Sequence, residues 1–393
     1  MRKFRIGLIT NEPAPTAGGA HGFVNSILSV LLKENIEEDF DLLFINEIDN
    51  LKTSTSQSFF KQYAFERNSN FENVYLKLNA FLPRVSRRIN KYLGIEKAIK
   101  DLHLDFVFFL GSSPFPVSVP FGVIVWDLQH RTHPWFPEVS LNGLWESRDS
   151  LCKAVLPRAS IVITGTEQGK GEISLFYGVD PRNIVLIPHP VPQTGFTKIT
   201  QRIESVNEKI ILVYPAQFWA HKNHILLVEA IAKFESLSKT KIEVILLGSD
   251  KGNRKYIESA IVDLGLKDSF IFPGFVTDEE LIRIYKTSTA LVYPSFSGPE
   301  NLPPLEALSV GLPVLYSEFL GAQEQLGDLV LYFDPYNVDS LVSLLISISK
   351  DPSLLNIPED CLALFLESRS ANAFVMKLKK AIREFLVVRG TWN

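Results

Sequence analysis

The strongest constraint on the fold is a series of short, mainly apolar runs separated by amphipathic stretches. Residues 4–10, 41–45, 105–110, 122–126, 161–164 and 183–187 form one series. Residues 209–214, 241–247, 270–272, 290–293, 313–316 and 329–333 form a second. Val, Ile, Leu and Phe fall on consecutive positions in these runs, not on alternate ones, which marks strands buried on both faces. Helical patterns lie between them, for example over 24–32, 223–234 and 279–285. Strand and helix alternating along a whole chain predict an α/β fold with parallel sheets, each covered by helices.

The series breaks once. After Ile187-Pro188-His189-Pro190-Val191-Pro192, a polar stretch over about 194–208 shows no periodicity, and a fresh strand then opens the second series. Two doubly wound domains are expected, residues 1–195 and 196–370. A closing segment, 371–393, places Phe374, Val375, Leu378, Ile382 and Phe385 on one helical face. A length of 393 residues suits two or three domains of roughly 150 each.

Charge and cysteine content narrow the function. A net charge of −4 gives no general attraction to nucleic acid. Cys152 and Cys361 form no CxxC and no metal spacing, so neither a disulfide nor structural zinc is expected. The N-terminal run is too short and too soon interrupted for a secretory signal. No run reaches the ~18 apolar residues of a membrane span. A cytoplasmic protein is expected.

Ligands of doubly wound sheets bind beyond the carboxyl ends of the strands, so the loops there carry the functional reading. Two such domains are expected to hold a ligand in the cleft between them. The richest loop is Ser297-Gly298-Pro299-Glu300-Asn301-Leu302-Pro303-Pro304-Leu305-Glu306. Its prolines are expected to open a helix, with Glu306 in the first turn. Unpaired N–H groups over 302–304 would then form an anion-binding start. Glu306 either accepts the hydroxyls of a ribose or simply complements the helix dipole.

The loop after 209–214 holds Gln217, His221, Lys222, Asn223 and His224. A lysine at a helix start opposes the dipole unless an anion is shared between them, which marks Lys222 as a phosphate ligand or a solvated lysine. Asn223 fits a helix cap. In Trp126-Asp127-Leu128-Gln129-His130-Arg131-Thr132-His133, His130 is the best single candidate for substrate contact, against a structural histidine. Gly18-Gly19 before a helix either presents backbone to a ligand or makes a flexible turn. Asp39 and Asp41 sit at the far edge of a strand, and no metal is expected there. Arg84, Arg87, Arg88 and Lys91 share one helical stripe, which is either a peripheral contact to an anionic membrane or a solvated face.

Three segments together resemble glycosyltransferase family 4, the retaining enzymes of GT-B fold. They are Lys222-Asn223-His224, Phe270-Ile271-Phe272-Pro273-Gly274-Phe275-Val276 with Glu279-Glu280-Leu281, and Leu302-Pro303-Pro304-Leu305-Glu306-Ala307. The resemblance covers nearly the whole chain. It implies two Rossmann-like domains facing across a cleft, with acceptor on the N-terminal side and donor on the C-terminal side. It also implies a C-terminal helix crossing back to the N-terminal domain. The family's Glu-x7-Glu signature aligns its second Glu with Glu306. Gly298 stands where the first would be, Glu300 comes two positions late, and Gln217 holds the place of the usual Arg.

The activity implied is metal-independent, cofactor-free transfer of a hexose to a polysaccharide or glycolipid hydroxyl. UDP-glucose is the first donor expected and GDP-mannose the next, and a non-catalytic nucleotide-sugar binder is the alternative. The implied catalytic set is His130, Lys222, Glu300 and Asn301. The implied donor set is Gly18, Gly19, Gln217, Lys222, Phe275, Val276, Gly298, Asn301, Leu302 and Glu306. The implied partners are the nucleotide-sugar donor and a saccharide or lipid-linked saccharide acceptor. The basic stripe would touch the inner face of the membrane.

Overall fold

The computed structural model describes residues 3–10, 19–33, 40–47, 63–65, 94–111, 114–191, 209–274, 276–298 and 300–390. By contact, these fall into two compact units. One runs over Met1–Trp135, Val139–Pro190 and Ser370–Asn393, the other over Phe136–Glu138 and Val191–Arg369.

The first unit contains β1 (Phe4–Thr10), β2 (Phe40–Glu47), β3 (Tyr63–Phe65), β4 (Phe106–Phe109), β5 (Phe121–Ile124), β6 (Ile161–Thr164) and β7 (Ile184–Leu186). They pair in the order β3-β2-β1-β4-β5-β6-β7, and every pairing is parallel. The second unit contains β8 (Lys209–Pro215), β9 (Lys241–Leu247), β10 (Phe270–Gly274), β11 (Ala290–Tyr293), β12 (Val314–Ser317) and β13 (Leu331–Phe333). Their order is β10-β9-β8-β11-β12-β13, again parallel throughout. The α/β reading therefore holds, and β3 is a strand that the apolar runs did not announce.

The burial explains the sequence pattern. Every residue of β4, β5, β6, β11 and β12 is buried, as consecutive apolar positions require of strands covered on both faces. The helix Ala371–Gly390 belongs to the first unit. Its Phe374 meets Phe23 edge-on at 5.7 Å, and its Phe385 lies 5.0 Å from Phe106. Phe374, Val375, Leu378 and Ile382 are buried on its apolar face, each contributing about 1.5–3 kcal/mol. The helix Asp278–Thr287 starts with a capping box between Thr277 and Glu280, so Glu280 is spent on the helix start.

In each sheet the strand order reverses beside the first strand, between β1 and β4 and between β8 and β11. In the second unit three tyrosines, Tyr214, Tyr293 and Tyr316, lie near the carboxyl ends of β8, β11 and β12. All three are buried, with ring centroids 5.2 Å apart for Tyr214 and Tyr293 and 5.8 Å for Tyr293 and Tyr316. A buried phenol has to spend its hydroxyl on a partner. Here each hydroxyl reaches up into a loop or helix beyond the sheet.

Candidate functional site

The reversal between β8 and β11 leaves a crevice beyond their carboxyl ends, where doubly wound sheets take ligands. Lys222 stands there, in the short 3₁₀ turn Ala220–Lys222 that follows β8. Tyr214 Oη donates to the Lys222 carbonyl at 2.7 Å and pins its backbone. The Lys222 ammonium donates to Tyr293 Oη at 2.9 Å and to Asn301 Oδ1 at 3.0 Å. Its nitrogen lies 5.0 Å from the Tyr293 ring centre. Two neutral oxygens, a phenol and a carboxamide, thus fix where the ammonium points.

Asn223 does not cap the following helix with its side chain, as the sequence suggested. It takes φ +53° at the N-cap, and its Nδ2 donates to Pro294 O at 3.1 Å and Pro335 O at 2.9 Å. It thereby ties the loops after β11 and β13 to the lysine turn.

Asn301 is buried, and its carboxamide is fully occupied by the protein. Oδ1 accepts from Lys222 and from Tyr293 Oη at 3.1 Å, while Nδ2 donates to Gly298 O at 2.9 Å and Tyr316 Oη at 2.8 Å. This corrects the expectation that Asn301 reads a sugar, because its four hydrogen-bonding positions are already filled. Gly298 has φ +131°, and a Cβ there would lie 2.6 Å from the Asn301 amide. A glutamate at 298, as the family pattern would have it, would strain the backbone and displace the Asn301 amide.

Glu300 is not the replacement carboxylate either. Its side chain, 2% exposed, pairs with Arg369 Nη1 at 2.8 Å. Arg369 also donates to the carbonyls of Gln325 at 2.8 Å and Glu324 at 3.3 Å. A buried ion pair is kept by its geometry and by the hydrogen bonds around it, and here it staples the loop after β11 to the end of the helix Glu359–Ser368.

The helix Leu302–Val310 begins at Leu302, so Pro303 and Pro304 are its second and third residues. Proline has no N–H. Of the first three positions only Leu302 carries a donor, and the anion-binding start is sparser than expected. Glu306 lies in the second turn, not the first. It is half-buried and takes a long 3.5 Å hydrogen bond from Tyr285 Oη. Burial raises its pKa to about 7, against the Tyr285 bond, and Asp278 adds to the rise. A carboxylate so placed gains from new hydroxyl donors.

Gln217 holds the position of the family's arginine, and its Oε1 accepts from Trp219 Nε1 at 2.8 Å. Beside Lys222, His221 Nδ1 meets Glu138 Oε1, which also accepts the His221 backbone N–H at 2.8 Å. These bonds hold the Glu138 pKa low against its burial. Phe136 stacks at 5.7 Å on Phe296 in the same unit. His224, also ambiguous in sequence, is buried and stacks on Phe218 at 4.6 Å, and burial brings its pKa down to about 3.

In the first unit His130 is wholly buried, at 0% exposure. Its Nε2 shares a 2.8 Å hydrogen bond with Tyr177 Oη, which donates to Asp149 at 3.2 Å. Arg131 and Lys153 pair with Asp149, and Arg148 pairs with Asp127. Burial, helped by the charge of Arg148, lowers the His130 pKa to about 4. The expected sugar contact is corrected: the ring has no exposed surface to offer.

Gly19 opens the helix Gly19–Lys33, Val276 follows β10 outside it, and Asp41 lies in β2. Gly18, Phe275, Asp39, Arg84, Arg87, Arg88 and Lys91 lie outside the described residues. Among the described residues no group of three or more His, Cys, Asp or Glu could hold a metal ion, and no helix is long and apolar enough to cross a membrane. Sequence reasoning missed the tyrosine layer, Gln325 and Arg369. A usable signal existed for the first: Leu212-Val213-Tyr214, Leu291-Val292-Tyr293 and Val314-Leu315-Tyr316 all end an apolar strand on tyrosine.

Residues 195–361 match the model for glycosyl transferases group 1. The O-antigen chain mannosyltransferase RfbU of Salmonella typhimurium is 27% identical over 206 residues, covering 52% of this chain and 56% of its own length. The chain thus matches little more than half of that relative. A glycosyltransferase from Rickettsia africae superposes with a TM-score of 0.68 at 17% identity, over 98% of this chain and 99% of that one. The sucrose-phosphate synthase of Thermosynechococcus elongatus gives 0.70 at 16% identity, over 98% and 100%. At such identities the likeness is one of fold, the two-sheet GT-B architecture. Over residues 195–361 the chain is thus similar to the glycosyl transferases group 1, and its fold is that of GT-B proteins.

Proposed function

We propose that this chain is a glycosyltransferase that moves a hexose from a nucleoside diphosphate sugar to a saccharide or lipid-linked saccharide hydroxyl, with retention and without metal. The observation that carries the reading is the Lys222 ammonium, oriented by Tyr293 and Asn301 at the reversal of the second sheet. When the glycosidic bond breaks, the leaving diphosphate gains negative charge. A preplaced cation and the Leu302 N–H stabilise that charge where it develops. Glu306 accepts the ribose hydroxyls, and backbone near Val276 takes the base.

In a front-face reaction the leaving phosphate oxygen removes the acceptor's proton, so no protein carboxylate is required as base. This agrees with a buried Glu300 paired to Arg369 and with a glycine at 298. The name of the Salmonella relative, a mannosyltransferase, favours mannose over the glucose that the sequence put first, with GDP-mannose as the donor to try. Thermal unfolding with UDP-glucose, UDP-galactose, GDP-mannose and ADP-glucose decides between them. A cognate donor at 100 times its Kd stabilises by about 2.7 kcal/mol. Turnover of that donor in EDTA tests the metal-free reading, and complete loss restored by Mn²⁺ refutes it. Tight donor binding with no turnover under any acceptor leaves a binding protein of the same fold.

A further inference from the structure

We propose that Gln325 is a positioning residue for the Lys222 ammonium, acting through Asn301. The proposal rests on the diphosphate role given to Lys222 above. Gln325 lies on the short helix Ala322–Leu326 and is 0% exposed. Its carboxamide grips the backbone of one residue at both its N–H and its C=O. Oε1 accepts the Asn301 backbone N–H at 3.3 Å, and Nε2 donates to the Asn301 carbonyl at 2.7 Å.

The polarity of this contact propagates. A backbone N–H can only donate and a carbonyl can only accept, so the Asn301 backbone dictates which end of Gln325 is oxygen. That oxygen also takes the Tyr316 hydroxyl proton, at 2.8 Å. With its proton committed, the Tyr316 oxygen accepts from Asn301 Nδ2 at 2.8 Å. The amino end of Asn301 is thereby directed to Tyr316 and Gly298, and Oδ1 is left facing Lys222 and Tyr293. An Asn301 amide turned the other way would set NH₂ against an ammonium. Gln325 thus selects the rotamer of Asn301 that holds the cation. Arg369, which donates to the Gln325 carbonyl, holds the helix that carries it.

Calorimetric titration of UDP, GDP, uridine and guanosine tests this on the parent chain, Lys222→Ala, Gln325→Leu, Tyr316→Phe and the Lys222→Ala/Gln325→Leu double variant. Gln325→Leu is expected to weaken the bound nucleoside diphosphate roughly tenfold and leave the nucleoside unchanged. The double variant should match Lys222→Ala within about twofold, because both changes remove one interaction. If the leucine variant does not fold, Tyr316→Phe carries the same expectation with a loss of about threefold. An equal loss for nucleoside and diphosphate, losses that multiply in the double variant, or no loss would overturn the proposal. Should Lys222→Ala itself leave diphosphate affinity intact, the reading of Lys222 fails first. A loss in Lys222→Ala without one in Gln325→Leu defeats Gln325 alone. No binding of either diphosphate by the parent defeats both.

Discussion

The polar run after β5 and the polar loops after β8 and β11 look alike in sequence, since each follows a buried strand with a cluster of charged and hydrogen-bonding residues. They differ in how their charges are held. After β5, Asp127 is paired with Arg148, and Asp149 with Arg131 and Lys153, while His130 is sealed beneath them on Tyr177. Charge there is answered by charge, and the buried ring is kept neutral at physiological pH. After β8 and β11, the Lys222 ammonium is oriented by a phenol and a carboxamide. The first arrangement is a network of ion pairs, and in the second neutral side chains orient a cation. Glu300 belongs with the ion pairs although it lies in the loop of the second, because Arg369 has claimed it.

The largest expected effect tests that last assignment. Arg369→Met strands a buried carboxylate and should cost about 3–5 kcal/mol of stability in urea unfolding. A cost under about 1 kcal/mol would return Glu300 to the list of site residues. Next comes Lys222→Ala, for which donor turnover should drop about 10²–10³-fold with the unfolding midpoint nearly unchanged. A drop of less than about threefold would erase the distinction between the two regions.

Glu306→Ala should weaken nucleoside diphosphate binding by about 1.5–3 kcal/mol, with or without the sugar attached. The pH dependence sharpens this. The free carboxyl has a pKa of about 7, and ribose hydroxyls bind its ionised form. Affinity should therefore decline as pH falls below about 7, approaching tenfold per unit. Glu306→Gln should flatten the profile, and a parent profile that is already flat rules the ribose role out.

The smallest effect is expected at His130. Burial holds its pKa near 4, below the usual 6.5. Between those values the unfolded chain takes up a proton that the folded chain refuses. The stability His130 contributes is complete above about pH 6.5 and is lost as pH falls toward 4. His130→Phe should lose less stability than the parent between about pH 7 and 5, and should keep donor turnover within about twofold. A large loss of turnover in a stable variant would restore His130 as a substrate contact.

Much of the architecture was legible in the residues. Consecutive apolar runs mark strands covered on both faces, and their alternation with amphipathic stretches leaves few arrangements other than parallel sheets. The face of Phe374, Val375, Leu378 and Ile382 marked a packed C-terminal helix, and Lys222 was marked by its conflict with a helix start. The short strand Tyr63–Phe65 carries too few residues for any periodicity to register. The helix over 302–310 was legible, but its first residue was not: two prolines fit the first turn at N1 or one position later, and the difference moves Glu306 by a turn.

What the sequence determined by itself is what depends on local composition and period: the strands, the covering helices, the place where one series ends and the next begins, and the loops that must follow each strand. What only the tertiary structure decided is which polar groups spend their capacity on one another. Asn301 meets Lys222 across 79 residues, Glu300 meets Arg369 across 69, and Gln325 meets the Asn301 backbone across 24. A carboxamide or carboxylate has the same formula whether it faces a ligand or a neighbour. Hydrogen bonding is short-ranged and directional, so only the folded placement of the partner settles which of the two it does.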